Sequence, residues 1–226
     1  QTLVLFDGVQ SINSPTLGTP DMADLFATGI ERIEVLRGGS GVLYGSAAQA
    51  GVVNIITKRG KGKPEFEAVG EFGTNRTFRE TVALSGSYDA FDNVPLEEVY
   101  YASSATRVDS DGIGTQNDYE NWYFTNRAGI DVNEHVNFDI VNRIWDSEKG
   151  LDTTDFYGTP IRETDHQQKN QTITVKPELN LNYGWWQGRL SYSALFQNYY
   201  AESRATFPYK TKLNIDSHKL DFLNTL

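Results

Sequence analysis

From Pro64 to the end of the chain, apolar and polar residues alternate with a period of two, and no other feature limits the fold as tightly. In "TFRETVALSGSY" the even positions are Phe78, Glu80, Val82, Leu84, Gly86 and Tyr88, and the odd ones are Thr77, Arg79, Thr81, Ala83, Ser85 and Ser87. In "TITVKPELNLNY" the stripe Ile173, Val175, Pro177, Leu179, Leu181 and Tyr183 opposes Thr172, Thr174, Lys176, Glu178, Asn180 and Asn182. Further stripes run through Trp122, Phe124, Ala128, Ile130 and Val132, through Val136, Phe138, Ile140 and Ile144, and through Leu190, Tyr192, Ala194 and Phe196. Successive side chains of a strand point to opposite faces, so each run of about ten such residues is a strand with one apolar and one polar face.

A soluble sandwich and a membrane barrel both use such strands, and three features favour the barrel. The polar faces carry Lys, Glu, Asn and Arg, as a wet lumen does. Aromatic residues gather towards strand ends, among them Tyr88, Tyr100, Tyr101, Trp122, Tyr123, Tyr183, Trp185, Trp186, Tyr199 and Tyr200, where interfacial girdles belong. The connections "NEH" and "GWWQG" are tight, whereas 147–169 and 202–217 read as long polar loops, the asymmetry of an outer-membrane barrel. "DAFDNVPLEE" is longer than this scheme asks of a turn on the short side. The count is about seven full strands and the start of an eighth. Open strand edges are not tolerated in hydrocarbon, so these strands are expected to be part of a larger barrel. Both ends of the chain fall inside strand-like runs, which reads as a piece of a longer protein.

Composition excludes several function classes. A formal net charge of -10 over 226 residues argues against nucleic acid, whose phosphates need clustered Lys and Arg. Without cysteine there is neither a disulfide framework nor a thiolate metal site. No stretch approaches the roughly 18 apolar residues of a membrane-spanning helix. His135, His166 and His218 stand far apart, outside any ligand spacing, and nothing resembles a nucleophile elbow, so no enzyme is expected.

Residues 1–60 differ from the rest. Leu3-Val4-Leu5-Phe6, Ile33-Glu34-Val35-Leu36 and Val52-Val53-Asn54-Ile55-Ile56-Thr57 read as short strands. Asp21 is placed to cap a short helix over Met22, Leu25 and Phe26, giving a small α+β unit. "KRGKGKPE" then reads as a basic linker into the second region, 61–226. The run "RGGSGVLYGSAAQAGVVNIITKRG" suggests a phosphate cradle at first sight. Gly39 and Gly41 fit the first two positions of a dinucleotide fingerprint, but Tyr44 occupies the third, and no Lys-Ser/Thr pair completes a P-loop. The run also leads into a β-branched strand, not into the helix N-terminus that binds phosphate.

"LVLFDGV", "IERIEVLRG" and "LYGSAAQAGVVNIITK", in this order and spacing, resemble the plug domain of TonB-dependent outer-membrane receptors. The resemblance implies a mainly β chain: the C-terminal part of a small α+β plug (1–60), then the first 7–8 strands of an antiparallel transmembrane barrel of about 22 strands. Gly39 stands where family plugs commonly carry proline. Gly38, Gly39, Gly45 and Gly51 are then turn glycines, since glycine admits backbone angles closed to other residues. Glu34 and Arg37 are implied at the plug–barrel boundary, with Glu67 and Glu71 as inner-wall candidates.

The function so implied is uptake of a scarce, bulky nutrient, a ferric siderophore or cobalamin, across the outer membrane of a Gram-negative bacterium. Its partners are outer-membrane lipid, the metal-chelate or cobalamin ligand, and a TonB-type protein that pulls on a segment near the plug N-terminus using proton-motive force. "SINSPTLGTPDMADLF" lies where family plugs raise a substrate-facing loop, which makes Asn13, Ser14, Thr16 and Leu17 contact candidates; the alternative is an ordinary solvated loop. Asp109, Asp111, Asp118 and Glu120 in one outer loop, with Asp152 and Asp155 in the next, offer hard oxygen ligands for calcium. Ile113 departs from the EF-hand pattern, and a solvated acidic loop is the competing reading. No other cofactor is expected. A passive porin-like barrel, a glycan importer and a soluble β-rich binding module remain as alternatives.

Overall fold

The structure is a computed structural model and describes residues 2–11, 28–38, 48–89, 96–113, 117–150, 153–154, 160–161, 166–203 and 208–226. The expected helix over Met22, Leu25 and Phe26 lies outside them, as do Asn13, Ser14, Thr16, Leu17, Gly39, Gly45, Asp152 and Asp155. Two main sheets form. The smaller contains β1 (Thr2–Phe6), β2 (Val9–Gln10), β3 (Ile30–Arg37) and β4 (Gly51–Thr57), in the order β2-β1-β4-β3. β1 and β4 run parallel, with Leu3 opposite Val52 and Phe6 opposite Ile55, and β3 closes antiparallel on β4. The apolar side chains of β1 pack on both faces. Leu3, Leu5, Ala48 and Val52 form one buried cluster, and Val4, Phe6 and Ile55 form another against Ile30 and Val53.

The larger sheet is an eight-stranded antiparallel meander. It comprises β5 (Glu65–Phe72), β6 (Phe78–Asp89), β7 (Glu98–Ser110), β8 (Tyr119–Asn133), β9 (Val136–Gly150), β12 (His166–Asn182), β13 (Gln187–Ser203) and β14 (Tyr209–Thr225). A two-residue pair, β10 (Thr153–Thr154) and β11 (Pro160–Ile161), sits in the connection between β9 and β12. Each neighbour in the meander follows in sequence, so alternation along the chain becomes alternation across the whole wall.

The two faces are inverted relative to a soluble protein. Thr81, Ser85, Ser104, Thr106, Asn121, Thr125, Asp139, Arg143, Asn170, Thr172 and Gln197 are buried on the inner face. Val82, Leu84, Trp122, Phe124, Phe138, Ile144, Ile173, Leu190 and Phe196 are exposed on the outer one. A sandwich would bury the second set. Exposing it is stable only where the surrounding solvent is hydrocarbon, and this decides between the two readings of the alternation.

Two details differ from the sequence reading. The eighth strand runs for 17 residues, Tyr209–Thr225, rather than only beginning, and strand reaches into the presumed loops at 147–169 and 202–217: β9 continues to Gly150 and β12 begins at His166, while β13 continues to Ser203 and β14 begins at Tyr209. A strand of 17 residues spans about 56 Å at 3.3 Å per residue. An apolar band about 25 Å tall, crossed at about 45°, needs only about 35 Å of strand. The remainder extends beyond the membrane on the long-loop side, where contact with water permits polar residues on both faces.

Candidate functional site

The smaller sheet sits against the polar inner face of the wall, and a few charged side chains hold it there. Arg127 on β8 is central. Its Nε donates to Asp139 Oδ2 on β9 at 2.8 Å, and its Nη1 donates to the Thr57 carbonyl at the end of β4 at 3.1 Å. Asp7, in the turn between β1 and β2, lies 4.0 Å from the same guanidinium. The Asp7 carboxylate accepts the Thr57 backbone N–H at 3.1 Å and the Thr57 hydroxyl at 3.2 Å, which closes the turn onto β4. Lys176 on β12 donates to the Asp7 carbonyl at 2.7 Å and pairs with Glu178 at 2.6 Å. Beside this group the Arg143 guanidinium lies 3.9 Å from the centroid of the Phe6 ring. The wall thus grips the β1–β2 turn and the end of β4 by backbone carbonyls and one aromatic face.

A second contact holds the segment leaving β4. The Arg59 guanidinium lies 3.7 Å from the Tyr100 ring centroid and bonds Glu98 at 3.2 Å as well as Asp131. Gly60 passes over the inner face of β6 and β7 so closely that a Cβ there would stand 1.9 Å from the Tyr101 carbonyl oxygen and 2.3 Å from that of Gly86. Gly62 and Ser87 then exchange two bonds: Ser87 N–H to the Gly62 carbonyl at 2.7 Å, and Gly62 N–H to Ser87 Oγ at 2.8 Å. This linker is bonded to the wall along its length.

Between the small sheet and β8–β14 runs a charged cavity of about 690 Å³, lined among others by Glu34, Arg59, Arg127, Lys176, Arg189 and Asp221. On the other side, Thr28, Glu31, Glu67, Glu71, Arg79 and Ser104 line a second of about 600 Å³. Burial raises the Asp7 carboxyl above the ordinary aspartate range, against the pull of the Thr57 amide and of the Arg127 and Lys176 charges. For Glu31, burial is outweighed by the Arg59 N–H, Lys61 and Arg32, and its carboxyl is held below the usual range. Folding therefore favours protonation of Asp7. Its contribution to stability is complete below the ordinary aspartate value of about 3.9 and is lost as pH rises through the elevated one. Asp7→Asn keeps an acceptor for Thr57 and removes the buried charge. In the full-length protein it should flatten the pH dependence of melting of the small sheet above about pH 4, as read by calorimetry; an unchanged slope would assign that dependence to other groups.

The residues expected from sequence fall in several places. Glu34 accepts from Arg32 Nε at 2.9 Å within β3 and lies on the wall of the charged cavity, while Arg37 is exposed at the end of β3. Glu71 accepts from Arg79 at 3.1 Å, and Glu67 faces the second cavity. Gly38 has φ +96 and Gly51 φ +146; a Cβ on Gly51 would meet the Leu36 carbonyl at 2.5 Å. Asp109 and Glu120 do not lie in a loop. They are strand residues, directly opposed in register, and both are reached by Arg107, at 3.4 and 3.3 Å. Asp111 pairs with Arg76 at 3.3 Å, and Asp118 lies just before β8. Among the described residues no group of three or more His, Cys, Asp or Glu is arranged to hold a metal. The seat residues Arg127, Asp139, Lys176 and Arg59 were not singled out from sequence. Their signal was there for the first three: charged side chains at inward-facing positions of the polar stripes.

A wall with apolar residues turned to lipid and a folded domain seated on its polar face defines a plugged outer-membrane barrel. Comparison with known proteins agrees. Residues 1–52 match the TonB-dependent Receptor Plug Domain family. The chain is 29% identical over 172 residues to the vitamin B12 transporter BtuB of Photobacterium profundum, covering 72% of this chain and 27% of that protein. It is 35% identical over 120 residues to the ferrienterobactin receptor of Escherichia coli, covering 49% of this chain and 13% of that protein. The ferric yersiniabactin uptake receptor FyuA of Yersinia pestis superposes with a TM-score of 0.73 at 18% identity, over 97% of this chain and 36% of that one. Over residues 1–52 the chain thus carries the plug domain of TonB-dependent receptors, and its strands superpose on the fold of a solved uptake receptor. It spans about a quarter of the cobalamin transporter and about a third of the solved receptor.

Proposed function

We propose that this chain is the plug-bearing part of a receptor that imports a ferric siderophore or cobalamin, energised by a TonB-type inner-membrane protein acting on the plug from the periplasmic side. The observation that carries the reading is the seat: a small folded sheet held against a polar wall by Arg127, Lys176 and Arg59. A passive porin has no need of such a domain in its lumen, and a soluble binding module would not turn Phe124, Phe138 and Ile144 outward. The flanking charged cavities give a gated route for polar cargo once the plug shifts. Cargo contact is assigned to the plug stretch holding Asn13, Ser14, Thr16 and Leu17, and cargo passes through chemically unchanged. The similarity to a vitamin B12 transporter and a ferrienterobactin receptor supports this cargo class over glycans.

Uptake by cells carrying the full-length receptor as their sole candidate importer tests this. Labelled ferric siderophore or cyanocobalamin should accumulate, and the accumulation should stop on loss of TonB or on adding a protonophore. Uptake indifferent to both would leave a passive pore; uptake of oligosaccharide alone would reassign the cargo.

A further inference from the structure

Along the inner face of β12, Asn170, Thr172, Thr174 and Lys176 follow one another at every second position. They lead from the long-loop end of the strand to the charged cavity, a path of about 20 Å at 3.3 Å per residue. The first three are buried, yet Asn170 Nδ2, Thr172 Oγ1 and Thr174 Oγ1 have no hydrogen-bond partner among the described residues. Gln197 on β13 donates to Asn170 Oδ1 at 2.8 Å, and its own Oε1 is left without a donor. Arg143, opposite Thr174 in register on β9, is 3% exposed, and none of its three guanidinium nitrogens has a hydrogen-bond partner there. Elsewhere on the same wall the hydroxyls satisfy one another: Thr81 bonds Thr106 at 3.0 Å and Ser104 bonds Thr125 at 2.7 Å. The deficit belongs to this column and not to the polar face in general.

What faces the lower part of this column at rest does not satisfy it. Phe6 and Val9 of the small sheet meet Arg143 and Thr174 around a gap of about 10 Å³, room for one water at most. The Phe6 ring attracts the guanidinium charge through its face but takes up none of the in-plane N–H groups. A buried polar group without a bond has lost its hydration and gained nothing in return, so the resting contact is a poor one. A surface that carries negative charge and many oxygen acceptors would complete the column. The Arg143 fork takes carboxylate or metal-bound chelate oxygens in pairs, and the amides and hydroxyls beside it both donate and accept. Lys176 at the foot of the column now donates to the Asp7 carbonyl at 2.7 Å, and withdrawal of the small sheet would free it as well.

We propose that the Asn170–Thr172–Thr174 column, with Arg143 and Gln197 beside it, is the track along which an anionic, oxygen-rich chelate passes once the plug shifts. This rests on the uptake reading above and adds to it a route and a cargo charge. The test uses full-length receptor in cells, carrying Thr174→Cys alone or together with Arg143→Gln. Two thiol reagents of similar size serve as probes, the anionic sulfonatoethyl and the cationic trimethylammonioethyl methanethiosulfonate. Thr174→Cys should stay unreactive in de-energised cells. During energised uptake of the ferric siderophore found in the uptake assay it should label, about tenfold faster with the anionic reagent. Arg143→Gln should abolish that preference, and Arg143→Lys should keep it. Thr172→Val with Thr174→Val keeps the shape and removes both hydroxyls; it should leave surface binding of the siderophore unchanged and slow its uptake about threefold. Siderophore uptake during which Thr174→Cys stays unreactive overturns the track and leaves the uptake reading standing. So does equal labelling by both reagents, which marks a water-filled gap only, and so does import of cobalamin alone. Wild-type uptake indifferent to TonB removes the uptake reading and the track with it.

Discussion

Replacing Arg127 by alanine in the full-length receptor should release the plug from its seat. The change leaves Asp139, whose side chain is 3% exposed, without its cation, and takes from the Thr57 carbonyl its donor. Breaking one partner out of a buried ion pair costs about 3–5 kcal/mol, because the surviving charge stays out of water with nothing to offset it. The Asp7 carboxylate loses the guanidinium 4.0 Å from it as well. A plug melting transition well below that of the wild type is expected in calorimetry, together with open-lumen conductance in planar bilayers. Arg127→Lys keeps the charge but cannot reach Asp139 and Thr57 with separate arms of a planar fork, so it should fall between the two. A closed, unshifted Arg127→Ala receptor would show that the seat is held elsewhere.

Gly60→Val should be as damaging by a different route. A Cβ at 1.9 Å from the Tyr101 carbonyl cannot be absorbed by rotating a side chain, since the obstacle is backbone on two paired strands. The linker must lift, taking with it the Arg59 contacts to Glu98, Asp131 and Tyr100 and both bonds between Gly62 and Ser87. Overpacking with loss of a bonded network belongs to the class of substitutions costing about 4 kcal/mol or more. Gly62→Ala is the matched control: φ is +64 there, but a Cβ meets nothing within 4 Å, so only the left-handed backbone cost of about 1–2 kcal/mol applies. Proteolysis of 58–63 in the folded receptor should be fast for Gly60→Val and near wild-type for Gly62→Ala. Equal rates for the two would mean that the close approach at Gly60 carries no energetic weight.

Together the two predictions separate two kinds of contact. Arg127 and Lys176 grip the β1–β2 turn and the end of β4, whereas Arg59 to Gly62 fix the exit from the plug. Loss of the first should free the sheet while leaving its tether; loss of the second should free the tether and strain the first wall strands, because Gly86 of β6 is where the linker rests.

The strands and the identity of their faces were legible without coordinates. A strand's two-residue period is a local property, and Val82, Leu84 and Tyr88 fall on one face and Thr81 and Ser85 on the other whatever lies around them. The glycine run could likewise be denied a phosphate role from Tyr44 and the following β-branched residues alone. Alternation alone is symmetric between a sandwich and a barrel; the charged polar stripes, the aromatic strand ends and the uneven connections are what pointed the polar face inward. Sequence could not find the seat. Arg127 meets the Thr57 carbonyl across 70 residues and Lys176 meets that of Asp7 across 169. Such partners are chosen by how the wall curves and in which register its strands pair, and the acceptors are backbone carbonyls that leave no mark in the side-chain pattern. Asp109 and Glu120 read as loop ligands for the same reason: only strand pairing brings them opposite each other, within reach of Arg107. Period and composition thus determined a β wall with a glycine-turned domain ahead of it. The charges that hold the plug and the tight passage of Gly60 were decided by tertiary structure, since each depends on distances between segments that the chain order does not constrain.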